Sequence, residues 1–156
     1  GGLEFGDRSL GNRSILADPR DPSMKDKVNK LIKYREHFRP FAPAILKEFQ
    51  KEYFEYSEET QFMEKVFIVK KEKRDKIPSV THNDGTARLQ TVKKESNNCF
   101  YKLVNSFYNK TSIPILLNTS FNLRGEPMVC SPTDAIKTFY NSGLDELYLG
   151  DYLIQK

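Results

Sequence analysis

The residues with chemistry to offer are basic, hydroxylic or amidic, and they gather in three short stretches. Lys33-Tyr34-Arg35 is followed closely by Arg39. Thr81-His82-Asn83-Asp84-Gly85-Thr86-Ala87-Arg88 joins a histidine to an arginine. "NTSFNLRGEP", Asn118 to Pro127, follows directly on the apolar run Ile113 to Leu117. Such groups suit anions: guanidinium forks grip phosphate or carboxylate, lysine adds a point charge, and hydroxyls and amides fix orientation. Each stretch has two readings. On a helix, Lys33 and Arg35 point to different faces and serve as C-terminal cations that complement the dipole. In an extended chain they share a side and can grip one anion. If extended, Ser120 and Asn122 face a ligand while Phe121 faces the core; in a turn they bond their own backbone instead. Arg88 projects from its strand opposite to Ala87 and Leu89, as a surface ion pair or as a phosphate ligand. His82 reads as an ordinary hydrogen-bonded histidine.

Several classes of chemistry find no support. Neither GxxxxGK[ST] nor GxGxxG occurs, so the common phosphate cradles are missing. Two histidines without context make no Ser-His-Asp assignment. Cys99 and Cys130 lie far apart with no CxxC, which argues against a disulfide framework and for a reducing, cytoplasmic location. With His37 and His82 they make only four scattered soft ligands, a poor case for zinc. The net charge of +4 and pI near 9.0 favour an anionic partner without choosing among nucleotide, phosphate and RNA. No apolar run approaches the roughly 18 residues of a membrane span, and no secretory signal opens the chain. At 156 residues, with 38% hydrophobic residues, the chain suits one domain. It begins Gly1-Gly2-Leu3 without methionine and reads as a fragment of a longer protein.

The elements that must position these residues alternate in type. Residues 4 to 20, with two glycines and several arginines, read as an arm or loop. Asp21-Pro22 predicts a helix start, and Met24, Val28, Leu31 and Ile32 form a helical stripe. Arg39-Pro40-Phe41-Ala42-Pro43 must break that helix, and Ile45-Leu46 continues as a short strand. Val66 to Val69 reads as a strand and the charge run Lys70 to Lys76 as a solvated loop. Ile77 to Thr81 and Thr86 to Val92 read as β segments joined through the Asp84-Gly85 turn. Phe100, Leu103, Val104, Phe107 and Tyr108 predict a helix, and Ile113 to Leu117 a strand. Ser131-Pro132-Thr133-Asp134 predicts a helix start, with Ala135, Ile136, Phe139 and Tyr140 as its buried face and Gly143 as its end. Leu147 to Leu149 and Tyr152 to Ile154 are closing strands. The result is a mixed α/β sheet flanked by helices.

Five blocks carry a resemblance: "GDRSLGNRSILADPR", "IKYREHFRPFAPAIL", "VTHNDGTARLQTV", "ILLNTSFNLRGEPMVCSPTDAIKTF" and "GLDELYLGDYLIQK". In this order the chain, from about Leu3 to Lys156, resembles the C-terminal domain of the NodU/CmcH-type O-carbamoyltransferases. The resemblance implies a single YrdC-like α/β domain over 1–156, a twisted mixed sheet with a basic concave face. Lys33-Tyr34-Arg35 and Ser120-Phe121-Asn122 match that fold family's K-x-R and S-x-N signature, which favours the anion-gripping reading of Lys33. It further implies that this domain takes ATP, with Mg²⁺, and carbamoyl phosphate to make carbamoyl adenylate. A separate actin-like N-terminal domain in cis, holding iron, would pass the carbamoyl group to an acceptor hydroxyl. By family match Lys33, Arg39, Arg88 and Ser120 are catalytic, Arg8 lines the pocket with them, and Arg35, Thr81, His82, Asn118 and Asn122 lie nearby. Asp7 and Ser9 stand where the family usually has proline and alanine, and His37 where it often has tryptophan. An RNA-binding module of YrdC type is the alternative, which would show a steep loss of affinity with salt. An inert scaffold would bind no ATP.

Overall fold

A computed structural model describes Glu4, Gly6 and residues 8–156. Its centre is a four-stranded mixed sheet whose strands are β1 (Ser14–Ala17), β2 (Ala42–Leu46), β5 (Gln90–Val92) and β6 (Ile115–Ser120), in the order β1-β6-β2-β5. β6 runs antiparallel to both β1 and β2, whereas β2 and β5 are parallel. Two antiparallel ribbons stand beside it: β3 (Val66–Ile68) with β4 (Thr86–Arg88), and β7 (Glu146–Leu149) with β8 (Tyr152–Gln155).

The uninterrupted apolar runs of β2 and β6 are explained by cover on both faces, which removes the need for alternation. Ile45, Ile115 and Leu117 join one core with Val28, Ile32, Ala135 and Phe139 from the helices α1 (Met24–Val28) and α4 (Pro132–Tyr140) and the turn after α1. Ala44, Leu46 and Leu116 join the other, with Phe100 and Val104 of α3 (Asn98–Thr111). Successive side chains alternate across a strand, so Asn118 and Ser120 continue the α3-side face beyond Leu116. There the apolar cover ends and polar groups take over. A short helix, α2 (Gln50–Tyr53), follows β2.

Local chemistry sets the helix ends. Ser131 and Asp134 form a reciprocal capping box with Pro132 at the first helical position, as the sequence predicts. Asn97 caps α3 by accepting from Phe100 N at 3.0 Å. Elsewhere tertiary context overrides the local signal. α1 begins at Met24 because Asp21 Oδ1 is engaged by Ser23 N and Oγ, at 2.8 and 2.7 Å, in a turn preceding the helix. Leu31 is exposed, since the helix widens into a π turn over Asn29–Lys33 and its face rotates. Ile136 and Tyr140 of α4 are also exposed. α4 ends at Tyr140; Gly143 lies further on, where its N donates to Leu31 O at 3.0 Å and a Cβ would come within 2.8 Å of Leu31 Cβ.

The segment Ile77 to Thr81 is no strand. Pro78 opens a 3₁₀ turn over Pro78–Val80, which buries Ile77 and Val80. The Asp84-Gly85 turn forms, with Gly85 at φ 81° and Gly85 N donating to His82 O at 2.9 Å. Thr86 O accepts from His82 N at 2.8 Å across the turn, and β4 pairs as a strand with β3. Residues Thr86 to Val92 are two strands divided at the fully buried Leu89, because β4 pairs with β3 and β5 with β2. Lys71–Lys76 is a 3₁₀ helix at the surface. No described helix is long and apolar enough to cross a membrane.

Candidate active site

Where the α3-side face turns polar, the sheet borders a cavity of about 320 Å³. Arg8, Ser9, Arg35, Arg39, Phe41, Ala42, His82, Arg88, Asn118 and Ser120 line it, with Met63 and Val66 of the β3–β4 side. Its wall carries four arginines and no carboxylate among the described residues. Arg8, Arg35, Arg39, Arg88, His82, Asn118 and Ser120, which come from distant parts of the sequence, thus share one hollow. Lys33, Thr81 and Asn122 stand outside its wall. Asp7 lies outside the described residues.

Arg8 belongs to the predicted loop, and polar side chains of the sheet hold that loop in place. Asn118 Nδ2 donates to Ser9 O at 3.1 Å and to Gln90 Oε1 at 2.7 Å; Gln90 Nε2 donates to Leu10 O at 2.9 Å. Glu4 Oε1 accepts from Leu10 N and Asn12 N, at 2.8 and 2.9 Å. Asn118 is 1% exposed, yet its Oδ1 has no hydrogen-bond partner. A buried acceptor left unpaired is costly, so it marks a place where a ligand N–H would be favoured.

The K-x-R stretch is neither helical throughout nor extended. Lys33 closes the π turn and Tyr34 takes the left-handed conformation, φ 46° and ψ 48°, which few non-glycine residues adopt. Lys33 and Arg35 consequently part company. The Lys33 ammonium reaches Ser120 O at 2.5 Å, Ser120 Oγ at 3.1 Å, Asn122 O at 3.1 Å and Asn122 Oδ1 at 2.7 Å. Four neutral oxygens thus surround a side chain that is 5% exposed, and burial, aided by Arg35, pushes its pKa down to about 7. Phe121 is buried in the core as the sequence reading requires, and Ser120 and Asn122 turn to the same side. That side faces Lys33, and Ser120 also reaches the cavity.

Arg35 lies over the Phe41 ring, 4.7 Å from its centroid, and donates from Nε to Asn29 Oδ1 at 2.7 Å. Burial, followed by the proximity of Arg39 and then Arg88, lowers its pKa to about 10. The cations therefore feel one another, and an anion among them would relieve that repulsion.

His82 Nδ1 lies 3.0 Å from Thr86 Oγ1, which donates its one hydrogen to Asp84 Oδ1 at 2.7 Å. Thr86 can therefore only accept from the histidine, so Nδ1 carries the proton and neutral His82 keeps a lone pair on Nε2. Burial holds its pKa below the usual value despite Asp84, and Arg88 adds to the effect. Thr81 Oγ1 donates to Ile77 O at 3.0 Å and is spent on the 3₁₀ turn. The sequence reading missed Asn29, Gln90, Phe41 and Met63. Asn29 sits inside an apparently regular helical stripe, and nothing in that pattern announces a π turn.

The family described as Carbamoyltransferase C-terminus matches residues 1–156. The chain is 50% identical to Nodulation protein NolNO of Sinorhizobium fredii and 49% identical to Nodulation protein NolO of Bradyrhizobium diazoefficiens. In both, all of this chain aligns, with 23% and 29% of the relative. Nodulation protein U of Rhizobium tropici is 43% identical over 80% of the chain and 22% of its own length. The chain spans about a quarter of the length of these relatives. It belongs to the carbamoyltransferase C-terminal family.

Proposed function

We propose that the arginine-lined cavity binds ATP and carbamoyl phosphate and forms carbamoyl adenylate, and that a domain outside this chain passes the carbamoyl group to an acceptor hydroxyl. The observation that carries the reading is the convergence of Arg8, Arg35, Arg39 and Arg88 on a cavity wall with no carboxylate among the described residues.

A water molecule first hydrolyses carbamoyl phosphate: the new oxygen bond replaces the carbamoyl–phosphate linkage, which breaks to give carbamate and inorganic phosphate. A carbamate oxygen then attacks the α-phosphorus of ATP, and the bond to the β-phosphate oxygen breaks to release pyrophosphate. The nucleophile is already an anion, so no strong general base is required. The difficulty is to hold two anions together, and several fixed guanidinium groups offset that repulsion and the charge that builds during transfer. Mg²⁺ would arrive on the nucleotide, and no step is routed through it. Asn118 Oδ1 and His82 Nε2 would accept from the carbamoyl NH₂, and the Ser120 hydroxyl, which donates to Asn122 Oδ1 at 2.7 Å, would turn from it to orient the carbamoyl oxygens. In this reading Lys33 touches no substrate; it fastens Ser120 and Asn122 to the π turn. A cavity of about 320 Å³ shelters carbamate from water, in which it falls apart.

The test is to mix the chain with ATP, Mg²⁺ and carbamoyl phosphate and measure pyrophosphate. Release that needs all three supports the reading. ATP binding without release would limit the cavity to nucleotide recognition, and binding of an RNA oligomer in preference to ATP would replace the reading.

A further inference from the structure

We propose that Asn29 is a positioning residue that sets the geometry of two cavity arginines at once. The inference rests on the cavity being the nucleotide site. Asn29 is 1% exposed and lies at the start of the π turn. Its Oδ1 accepts from Arg35 Nε at 2.7 Å, and its backbone carbonyl accepts from Arg35 N at 3.1 Å. Its Nδ2 donates to His37 O at 3.3 Å and to Arg39 O at 3.0 Å. One buried amide therefore fixes the Arg35 guanidinium and the chain that carries Arg39.

The π turn makes this possible. In an α-helix the Asn29 carbonyl would be taken by Lys33 N, four residues on. Widening carries the bond to Tyr34 N, and the left-handed Tyr34 folds Arg35 back over the turn. The segment from Arg35 to Pro40 then hangs as a loop beside the helix end, and among its described hydrogen bonds those to Asn29 tie it down at both ends. Asn29 holds Nε, Pro40 O accepts from Nη2 at 3.5 Å, and Phe41 supports the guanidinium face. The rest of the fork is aimed by those contacts at the cavity that Arg35 lines. An asparagine is suited to the task because it accepts from an arginine and donates to carbonyls simultaneously; leucine does neither, and aspartate only the first.

The experiment titrates Mg·ATP into the chain and its variants. Asn29→Leu is expected to weaken binding at least about tenfold, and Asn29→Asp by a smaller factor, because it keeps the Arg35 acceptor. In an Arg35→Ala/Arg39→Ala background, adding Asn29→Leu should weaken binding less than about threefold, since the groups it positions are gone. A similar loss in both backgrounds overturns the inference, because a general structural role would act regardless of those arginines. No loss in the first background overturns it equally. If Asn29→Leu does not fold, Asn29→Asp is read in the same two backgrounds; failure of both to fold assigns Asn29 to stability and overturns the inference. Wild type that binds no ATP overturns the reading of the cavity and this role with it, and so differs from wild-type binding with unaffected variants.

Discussion

Replacing Lys33 by methionine offers a quantitative check on the clamp between the π turn and β6. Methionine keeps much of the apolar stem but abandons four oxygens. Two of these, Ser120 Oγ and Asn122 Oδ1, still bond each other at 2.7 Å, and Ser120 O keeps Asn122 N at 3.2 Å, whereas the Asn122 carbonyl loses the ammonium donor. The fixed cost is on the order of 1–3 kcal/mol per acceptor left buried and unpaired. The pH dependence is more diagnostic. In the unfolded chain Lys33 holds its proton to about 10.5; in the folded protein it releases it near 7. Between these values the unfolded state binds more protons, so stability rises with pH. Below about 6 both states are protonated, and the slope vanishes. Integrating at about 1.4 kcal/mol per pH unit, with half the slope near the folded value, gives about 2 kcal/mol between pH 7 and 9. The chain has no tryptophan, so urea unfolding is best followed by circular dichroism. The stability of wild type minus that of Lys33→Met should be flat below pH 6 and climb by about 2 kcal/mol from pH 7 to 9. Parallel curves through that window would refute the claim that burial suppresses the Lys33 charge.

Other consequences concern the site and its scaffold. Arg39→Ala and Arg88→Ala should each abolish pyrophosphate release while leaving the circular dichroism spectrum unchanged, and Arg88→Lys should not restore it, because a point charge does not replace a guanidinium fork. Near wild-type release from either alanine variant would contradict the assignment. Phe139→Ala should cost about 3–5 kcal/mol in urea unfolding, since a fully buried ring between α4 and the sheet leaves a cavity. Gly85→Ala should destabilise by roughly 1–3 kcal/mol: Gly85 has φ 81°, and an added Cβ would collide with the Arg74 guanidinium. A neutral thermal shift there would contradict the turn.

Much of the scaffold was legible because local chemistry and tertiary need coincide. The Ser131-Pro132 start of α4 and the buried run of β6 formed as read, and α3 formed with Phe100 and Val104 in the core, although Leu103 of its stripe is exposed. Failures came where a residue satisfies a partner far along the chain. Ile77 and Val80 look β-like but serve the core from a 3₁₀ turn. Thr86 to Val92 looks like one strand, yet its halves pair with β3 and β2. At the site, the arginines were legible as types and through family blocks, but not their directions. Lys33 and Arg35 diverge because of a π turn and a left-handed Tyr34, features without a hydrophobic period to reveal them. Gln90 was hidden for a similar reason: it occupies a strand position whose polarity makes sense only against the loop at Leu10 and the side chain of Asn118.

The central claim is that guanidinium groups from three separated segments meet around one triphosphate. A crystal structure of the chain soaked with a non-hydrolysable ATP analogue tests it most directly. Phosphate oxygens within hydrogen-bonding distance of at least two among Arg8, Arg35, Arg39 and Arg88, beside Ser120, are the expected result. A nucleotide bound elsewhere, with that cavity holding only solvent, would contradict it.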